Sequence, residues 1–539
     1  MKSLSSFEFL SGILFLASFF CFLGFMCFLH TNMICLYEIS LLMMNSVEFS
    51  YIIYMDWMSF LFMFSVLFIS FLIFIYSSVY MEEECSRFLW MTFLFILFMM
   101  IMIMTPSCLG VLLGWDGLGI VSYCLVIYYS SSEAFNSGFI TACTNRLGDS
   151  MLLLSIVWFS MDGLFMFYEV QPVTLFLILS CMTKSAQFPF SAWLPAAMAA
   201  PTPISSLVHS STLVTAGVYL MIRFFYCFSG TWFLFILLIS SLLTIFVAGI
   251  STLGEFDFKR VVAMSTLGQL GFMMVILSVG YPYIAFLHLL IHAFFKATLF
   301  MCAGSVIHSG LGIQDLRMMG NLTFDVLTKS CLVICILNLM GMPFTSGFYS
   351  KDSLLEIFYS GYPGISLGLI FFIMAMITVA YSLRLLILLS YYWSWAVYVE
   401  TAPKLTLSIF LLSLMVFFMG SLLNWVVSQL DFIMLSVYIK MMPLLMILLG
   451  CCWHGVVIKK KSIFYMIHSM FYLSTFTKNL SMLVHMFFWT LKLLDQGFLE
   501  SAVLNLKKKT IKTSEIMMKM THANFLVAMS GFLIVMLAI

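Results

Sequence analysis

From residue 57 to residue 80 the chain reads WMSFLFMFSVLFISFLIFIYSSVY, without one formal charge. About 20 apolar residues in a helix span the roughly 30 Å hydrocarbon layer of a bilayer. Such windows recur along nearly the whole chain. We place crossings near 8–29, 57–80, 88–104, 107–129, 137–160, 173–195, 204–226, 230–253 and 258–279. Others fall near 281–307, 325–349, 364–391, 404–425, 435–458 and 521–539. The expected fold is an all-α polytopic membrane protein of about fifteen transmembrane helices, with no soluble domain between them. Composition agrees: 63% of 539 residues are hydrophobic and 9% charged, which excludes a soluble globular chain. A net charge of +1 offers nothing to nucleic acid. The 14 cysteines form no CxxC pair. Cys331/Cys335 and Cys451/Cys452 lack zinc or iron–sulfur spacing, so the thiols read as reduced packing groups. The N-terminal apolar run has no small-residue cleavage site and reads as a first membrane helix, not a signal peptide. The excess of Phe (58) and Met (45) fits an AT-rich mitochondrial genome.

Loop charge sets the orientation. Lys2, Arg87, Lys259, Arg260, Arg317, Lys404 and Lys459–Lys461 fall at the N-terminus or in even-numbered connections. Odd-numbered connections are nearly free of Lys and Arg, with Arg223 and Lys440 at helix edges as the main exceptions. The positive-inside rule then puts the N-terminus on the cytoplasmic side or its equivalent, the mitochondrial matrix, and Ile539 opposite. Residues 480–520 break the pattern by mixing Leu, Phe and Trp with Lys, Asp and Glu. A helix there would run about 60 Å along the membrane surface, either as a plain amphipathic element or as a clamp on neighbouring helices. Three regions result: a transmembrane bundle (1–460), a connector with the lateral helix (461–520), and a final crossing (521–539).

Ionisable groups inside the apolar windows are the first functional signal. Asp116, Arg146, Asp149, Lys184, His209, His288, His292, Lys296, Lys351 and Arg384 all fall there or at the edge. Each costs about 2.5–3.5 kcal/mol at a helix centre unless paired or hydrated. Arg146 and Asp149, three apart on one helix, form an expected structural ion pair. His288, His292 and Lys296 repeat every four residues and share one helix face. Lysine and histidine that gain and lose protons in series, within bridging distance of water, make a proton path.

Backbone breaks are the second signal. FPFSAWLPAAMAAPTP (188–203) carries four prolines just after Lys184, and LMGMPFTSGFYSKD (339–352) carries Pro343 and two glycines before Lys351. Proline removes an amide donor, and broken helices persist in lipid only where the freed backbone is buried or hydrated. A simple kink explains either one alone. Two lysine-bearing breaks five crossings apart are the trace of a transporter built from two inverted repeats.

The blocks LLGWDGLG, NRLGDS, TKSAQFPFSAWLPAAMAAPTPISSLVHSSTLVTAGVYLMIRF, STLGQLGFMM, HAFFKATLFMCAGSVIH and GMPFTSGFYSKD resemble chain 5 subunits of NADH:ubiquinone oxidoreductase, respiratory complex I. The match looks like the invertebrate mitochondrial form and runs from about residue 55 to 390; related cation/proton antiporter subunits share part of it. The resemblance implies an antiporter-like, proton-translocating subunit of the mitochondrial inner membrane, working in a hetero-oligomer with other membrane-arm and accessory subunits and with phospholipids. It implies no cofactor in this chain: NAD, FMN, iron–sulfur clusters and ubiquinone would be bound by other subunits, and no metal is expected. Asp116 and Lys184 would be the first half-channel's charge pair, His209, His288, His292 and Lys296 central relay groups, and Lys351 the second half-channel's lysine. Asp116 stands where the family often has Glu, so the shorter acid must sit closer to Lys184 or use a water. One crossing fewer than the family's usual number is counted, at the N-terminus. A sodium/proton antiporter subunit and a purely structural membrane subunit are the alternatives.

Overall fold

Asp56 begins the first deeply buried helix and shows how local chemistry frames the bundle. Its carboxylate accepts from the amide of Ser59, whose hydroxyl accepts from the Asp56 amide, a reciprocal cap. The same carboxylate pairs with Arg223 at 2.5 Å, 167 positions along the chain. The structure, a computed structural model, describes residues 2–44, 47–81, 85–161, 174–319, 326–361, 365–391, 402–427, 437–453 and 470–471, with short pieces between 487 and 536.

In chain order, α1 (Lys2–Thr31) leads into a hairpin of β1 (Cys35–Met44) and β2 (Val47–Met55), followed by α2 (Trp57–Tyr80) and α3 (Cys85–Met104). Next come α4 (Cys108–Val126), α5 (Ser132–Met161), α6 (Thr174–Lys184), and the short α7 (Trp193–Ala196) and α8 (Thr202–Ile204). A π-helical stretch, Ser205–Thr212, joins α8 to α9 (Leu213–Arg223), and α10 (Phe225–Phe228) is one turn. The second half runs α11 (Phe233–Gly254), α12 (Phe258–Val279), α13 (Pro282–Ser309), α14 (Val326–Met340), α15 (Ser346–Gly361), α16 (Ile365–Tyr391), α17 (Pro403–Val427), α18 (Val437–Lys440) and α19 (Met442–Trp453).

Ten helices among the described residues are long and apolar enough to cross a membrane, so the chain is a multi-pass, essentially all-helical membrane protein. Segment 202–223, α12 and α13 are enclosed on all sides, whereas α1 turns Phe9, Phe20 and Leu16 outward. Apolar side chains facing out are what a lipid-immersed surface requires.

One local feature was not expected. The hairpin adds strands to a fold expected to be all helix. Its signal was the alternation Tyr37-Glu38-Ile39-Ser40 against Ser50-Tyr51-Ile52-Ile53, paired antiparallel with Ser40 opposite Ser50. The break expected within the window 173–195 is present, with α6 stopping at Lys184. Likewise 325–349 stops at Met340, and a separate helix, α15, carries Lys351. Residues Met1–Phe471 form one compact unit and Tyr472–Ile539 another. Within the second, pieces 487–490 and 504–512 are helical and exposed. Most of the remaining expected lateral helix and most of the last crossing lie outside the described residues, as does the Lys459–Lys461 run.

On one face of the bundle, loop 310–319 is pinned to the turn before α12. The Phe258 amide donates to the Gln314 carbonyl (3.0 Å) and the Leu316 amide to the Phe256 carbonyl (2.9 Å). The Arg317 and Arg384 guanidiniums lie 4.4 and 4.9 Å from the centre of the Phe256 ring. Hydrogen bonds from Arg317 hold the Asp315 carboxyl below its ordinary range. Arg384, expected inside the membrane, also donates to the Thr252 carbonyl near the end of α11, which ties it to this clamp.

Candidate functional site

The first break is built so that its loose backbone is satisfied. Beyond Lys184 the helical ladder ends, Ala186 takes a positive φ of 53°, and the Phe188–Pro189 bond is cis. The Trp193 indole donates to the Thr183 carbonyl (3.0 Å), and the Gln187 amide group donates to Ser185 while its oxygen accepts from Thr244 (2.9 Å). Side chains thus supply the partners that water cannot supply in lipid. A Cβ at Gly217 would stand 2.6 Å from the Cys181 carbonyl, so only glycine lets α9 approach α6 this closely.

Lys184, the last residue of α6, is fully buried. Its ammonium donates to the Trp115 carbonyl (3.3 Å) and lies 4.9 Å from the Trp115 ring centre. The expected direct pair with Asp116 is not formed. Arg146 instead stands 3.7 Å from Asp116 and 3.0 Å from Asp149, so the anticipated Arg146–Asp149 contact is present and extends to a third member. Asp116 and Asp149 remain within electrostatic reach of the lysine.

The central row runs along α13. Every residue from Ile284 to Ile307 on it is buried, and His288, His292 and Lys296 have no exposed surface. His288 is held from both sides: Nδ1 lies 2.9 Å from the Ser350 hydroxyl and Nε2 lies 3.2 Å from the Gln269 side-chain oxygen. The Lys296 ammonium donates to the Ser265 hydroxyl at 2.6 Å. His292 has no hydrogen-bonding partner at either ring nitrogen among the described residues; its ring is 6.4 Å from that of His288 and edge-on to Phe295. His209 sits on the π-helical stretch, which packs on α13, and is likewise unpartnered, with Trp193 edge-on at 6.3 Å. Both rings are buried polar groups with no protein partner among the described residues, and such groups are ordinarily satisfied by a hydrogen bond to protein or water.

The second break mirrors the first in chemistry and not in layout. Gly341 turns the chain at φ 78°, and the Asn338 side-chain oxygen accepts from the Ser346 hydroxyl (3.1 Å). A Cβ at Gly347 would fall 1.9 Å from the Asn338 carbonyl, so the two helix ends meet only through glycine. Lys351, on the helix leading out of its break where Lys184 is on the helix leading in, donates to the Leu339 carbonyl and to Thr378 (3.3 Å). The buried lysines therefore end on carbonyls and hydroxyls, not on carboxylates.

Ser265, Gln269 and Ser350 were not singled out in the sequence. The first two are polar, four apart, and face Lys296 and His288 across the antiparallel α12–α13 pair. That spacing in an apolar helix was the available signal. Among the described residues no group of three His, Cys, Asp or Glu side chains could hold a metal ion.

Residues 105–378, which include every site residue above, match the family model described as NADH:quinone oxidoreductase/Mrp antiporter, transmembrane; residues 41–89 match that of the NADH-ubiquinone oxidoreductase (complex I) chain 5 N-terminus. NADH-ubiquinone oxidoreductase chain 5 of Lumbricus terrestris is 39% identical, over 94% of both chains. The same-named chain of Anopheles quadrimaculatus is 44% identical over 73% of this chain and 72% of its own. Among solved structures, an archaeal respiratory membrane complex, the membrane-bound sulfane sulfur reductase, has a chain that superposes with a TM-score of 0.70 at 20% identity, covering 83% of this chain and 93% of that one. A chain of the Mrp complex from a Dietzia species gives 0.69 at 21%, covering 93% of this chain and 57% of that one. The last two likenesses establish an antiporter-like fold. By the family match and these identities, the chain belongs to the NADH-ubiquinone oxidoreductase chain 5 family.

Proposed function

We propose that the chain is the antiporter-like, proton-translocating membrane subunit of a mitochondrial NADH:ubiquinone oxidoreductase. Its protons move through Lys184, His209, His292, His288, Lys296 and Lys351, driven by NADH oxidation and quinone reduction in other subunits. Asp116, with Arg146 and Asp149, biases the charge on Lys184 at one end. The two glycine- and proline-built breaks belong to two inverted repeats, and the bundle has about fifteen crossings in the inner membrane with its N-terminus in the matrix. The lateral segment and final crossing attach it to neighbouring membrane-arm subunits and phospholipids; the cofactors belong to those neighbours.

The observation that carries this reading is the buried row on α13. Two histidines and a lysine at every fourth position are wholly enclosed, and the hydrogen bonds that His288 and Lys296 make go only to neutral hydroxyl and amide groups. A structural role would favour pairing each with a carboxylate, since a lone buried charge is costly. Neutral partners leave each group free to carry or release a proton. Lys296→Ala in an assembled complex should lower proton pumping and NADH oxidation together, to about a tenth or less, as removal of a proton-transfer group typically does. Normal pumping in that variant would sink the assignment. Sodium-dependent transport without NADH in proteoliposomes would favour a cation antiporter instead.

A further inference from the structure

Ser350 hydrogen-bonds the central histidine row to the second broken helix. It is wholly buried near the start of α15. Its hydroxyl lies 2.9 Å from His288 Nδ1 and 3.3 Å from the Gly347 carbonyl, and it has one proton to give to two acceptors. The other side of the ring decides which acceptor it serves. Gln269 turns its carbonyl oxygen to Nε2, and an oxygen there only accepts, so Nε2 carries the proton in neutral His288. Nδ1 is then bare and accepts from Ser350.

We propose that Ser350 is a positioning residue that reports the charge of His288 to the second break. When His288 carries protons on both nitrogens, Nδ1–H donates to the Ser350 oxygen, and the serine's own proton turns to the Gly347 carbonyl. No covalent bond of the serine changes; one hydroxyl rotates. The Gly347 carbonyl is the acceptor that the α-helical pattern assigns to the amide of Lys351. It lies beside the contact that closes the break, where glycine meets Asn338. A change of charge on α13 thereby alters the hydrogen bonding of the turn that bears Lys351.

The surroundings leave the switch exposed to few other charges. Lys351 on α15 is the charged group acting on His288, and His292 is the titratable neighbour on its own helix. From α12 comes neutral Gln269, with Tyr381 of α16 beside it. Among the described residues no carboxylate forms an ion pair with the ring.

The proposal rests on the proton role of His288, and the test separates the two. In the assembled complex, Ser350→Ala should slow coupled NADH oxidation by roughly threefold to tenfold, the value of one buried hydrogen bond. It should also move the pH profile of turnover toward lower pH by about half a unit or more, because the bond lost is stronger to charged imidazolium than to the neutral ring. Ser350→Thr, which keeps the hydroxyl, should restore both. If Ser350→Ala does not assemble, Ser350→Cys, of similar volume and weaker hydrogen bonding, gives the same readout. An unshifted profile in an assembled Ala or Cys variant would overturn the proposal. So would equal damage from Thr and Ala, which would indicate packing alone. If Lys296→Ala still pumps, the relay itself fails; if Lys296→Ala stalls while Ser350→Ala matches the parent at every pH, only the switch does.

Discussion

Buried charge in this chain follows two different rules. Asp56 and Arg223 obey the structural one: each side chain is about 10% exposed, they touch at 2.5 Å, and the acid also caps α2. Removing one partner of such a pair strands the other. Arg223→Ala should therefore destabilise the bundle by about 3–5 kcal/mol. In melting of the purified complex it should lower the transition well beyond Lys404→Ala, which breaks only an exposed pair with Glu8. Equal, small shifts for both would show that the Asp56 carboxylate finds another partner. The relay groups obey the other rule. Lys184, Lys296 and Lys351 rest on Trp115, Ser265, Leu339 and Thr378, none of which can neutralise an ammonium. The family resemblance implied Asp116 as the charge partner of Lys184. The contact of Asp116 with Arg146 could not be read from spacing, since the pairing depends on which face of α4 meets which helix.

The breaks are where helices become functional elements. Prolines 189, 195, 201 and 203 marked the first, and Gly341 with Pro343 the second, so both were legible as interruptions. What closes them was not legible. Trp193 reaches back to Thr183, and Asn338 accepts from Ser346, because short loops bring those groups together. Gly347 is the sharpest test of the second closure. A methyl group there would meet the Asn338 carbonyl at a distance no real contact tolerates, so α14 and α15 would have to separate. Gly347→Ala should cost roughly 1–3 kcal/mol or more by overpacking and displace Ser350 from His288. Coupled turnover should fall with it, while Gly12→Ala on α1, where nothing lies within 4 Å, should leave turnover unchanged. Parent-like turnover in Gly347→Ala would mean that the closure is not needed for coupling.

At the scale of the whole molecule, the tail carries the remaining prediction. Residues 480–520 mix apolar and basic side chains, and as one continuous helix they would run about 60 Å; pieces 487–490 and 504–512 are helical and exposed. Truncation after about residue 478 should leave the bundle folded yet release it from neighbouring proton-pumping subunits. Native electrophoresis would show a smaller assembly; a full-sized, stable one would reduce the tail to a passive surface element. The sequence by itself determined that the chain lives in lipid, where most of its crossings lie, which helices break, and which side chains carry protonatable charge. Hydrophobic length, proline and periodicity are properties of single segments, so they survive without coordinates. Only the tertiary structure decided that Arg146 serves Asp116, that Ser265 and Gln269 face Lys296 and His288, and that Ser350 joins α13 to the second break. Those contacts join residues up to 62 positions apart through helix rotation and depth, and no local pattern encodes either.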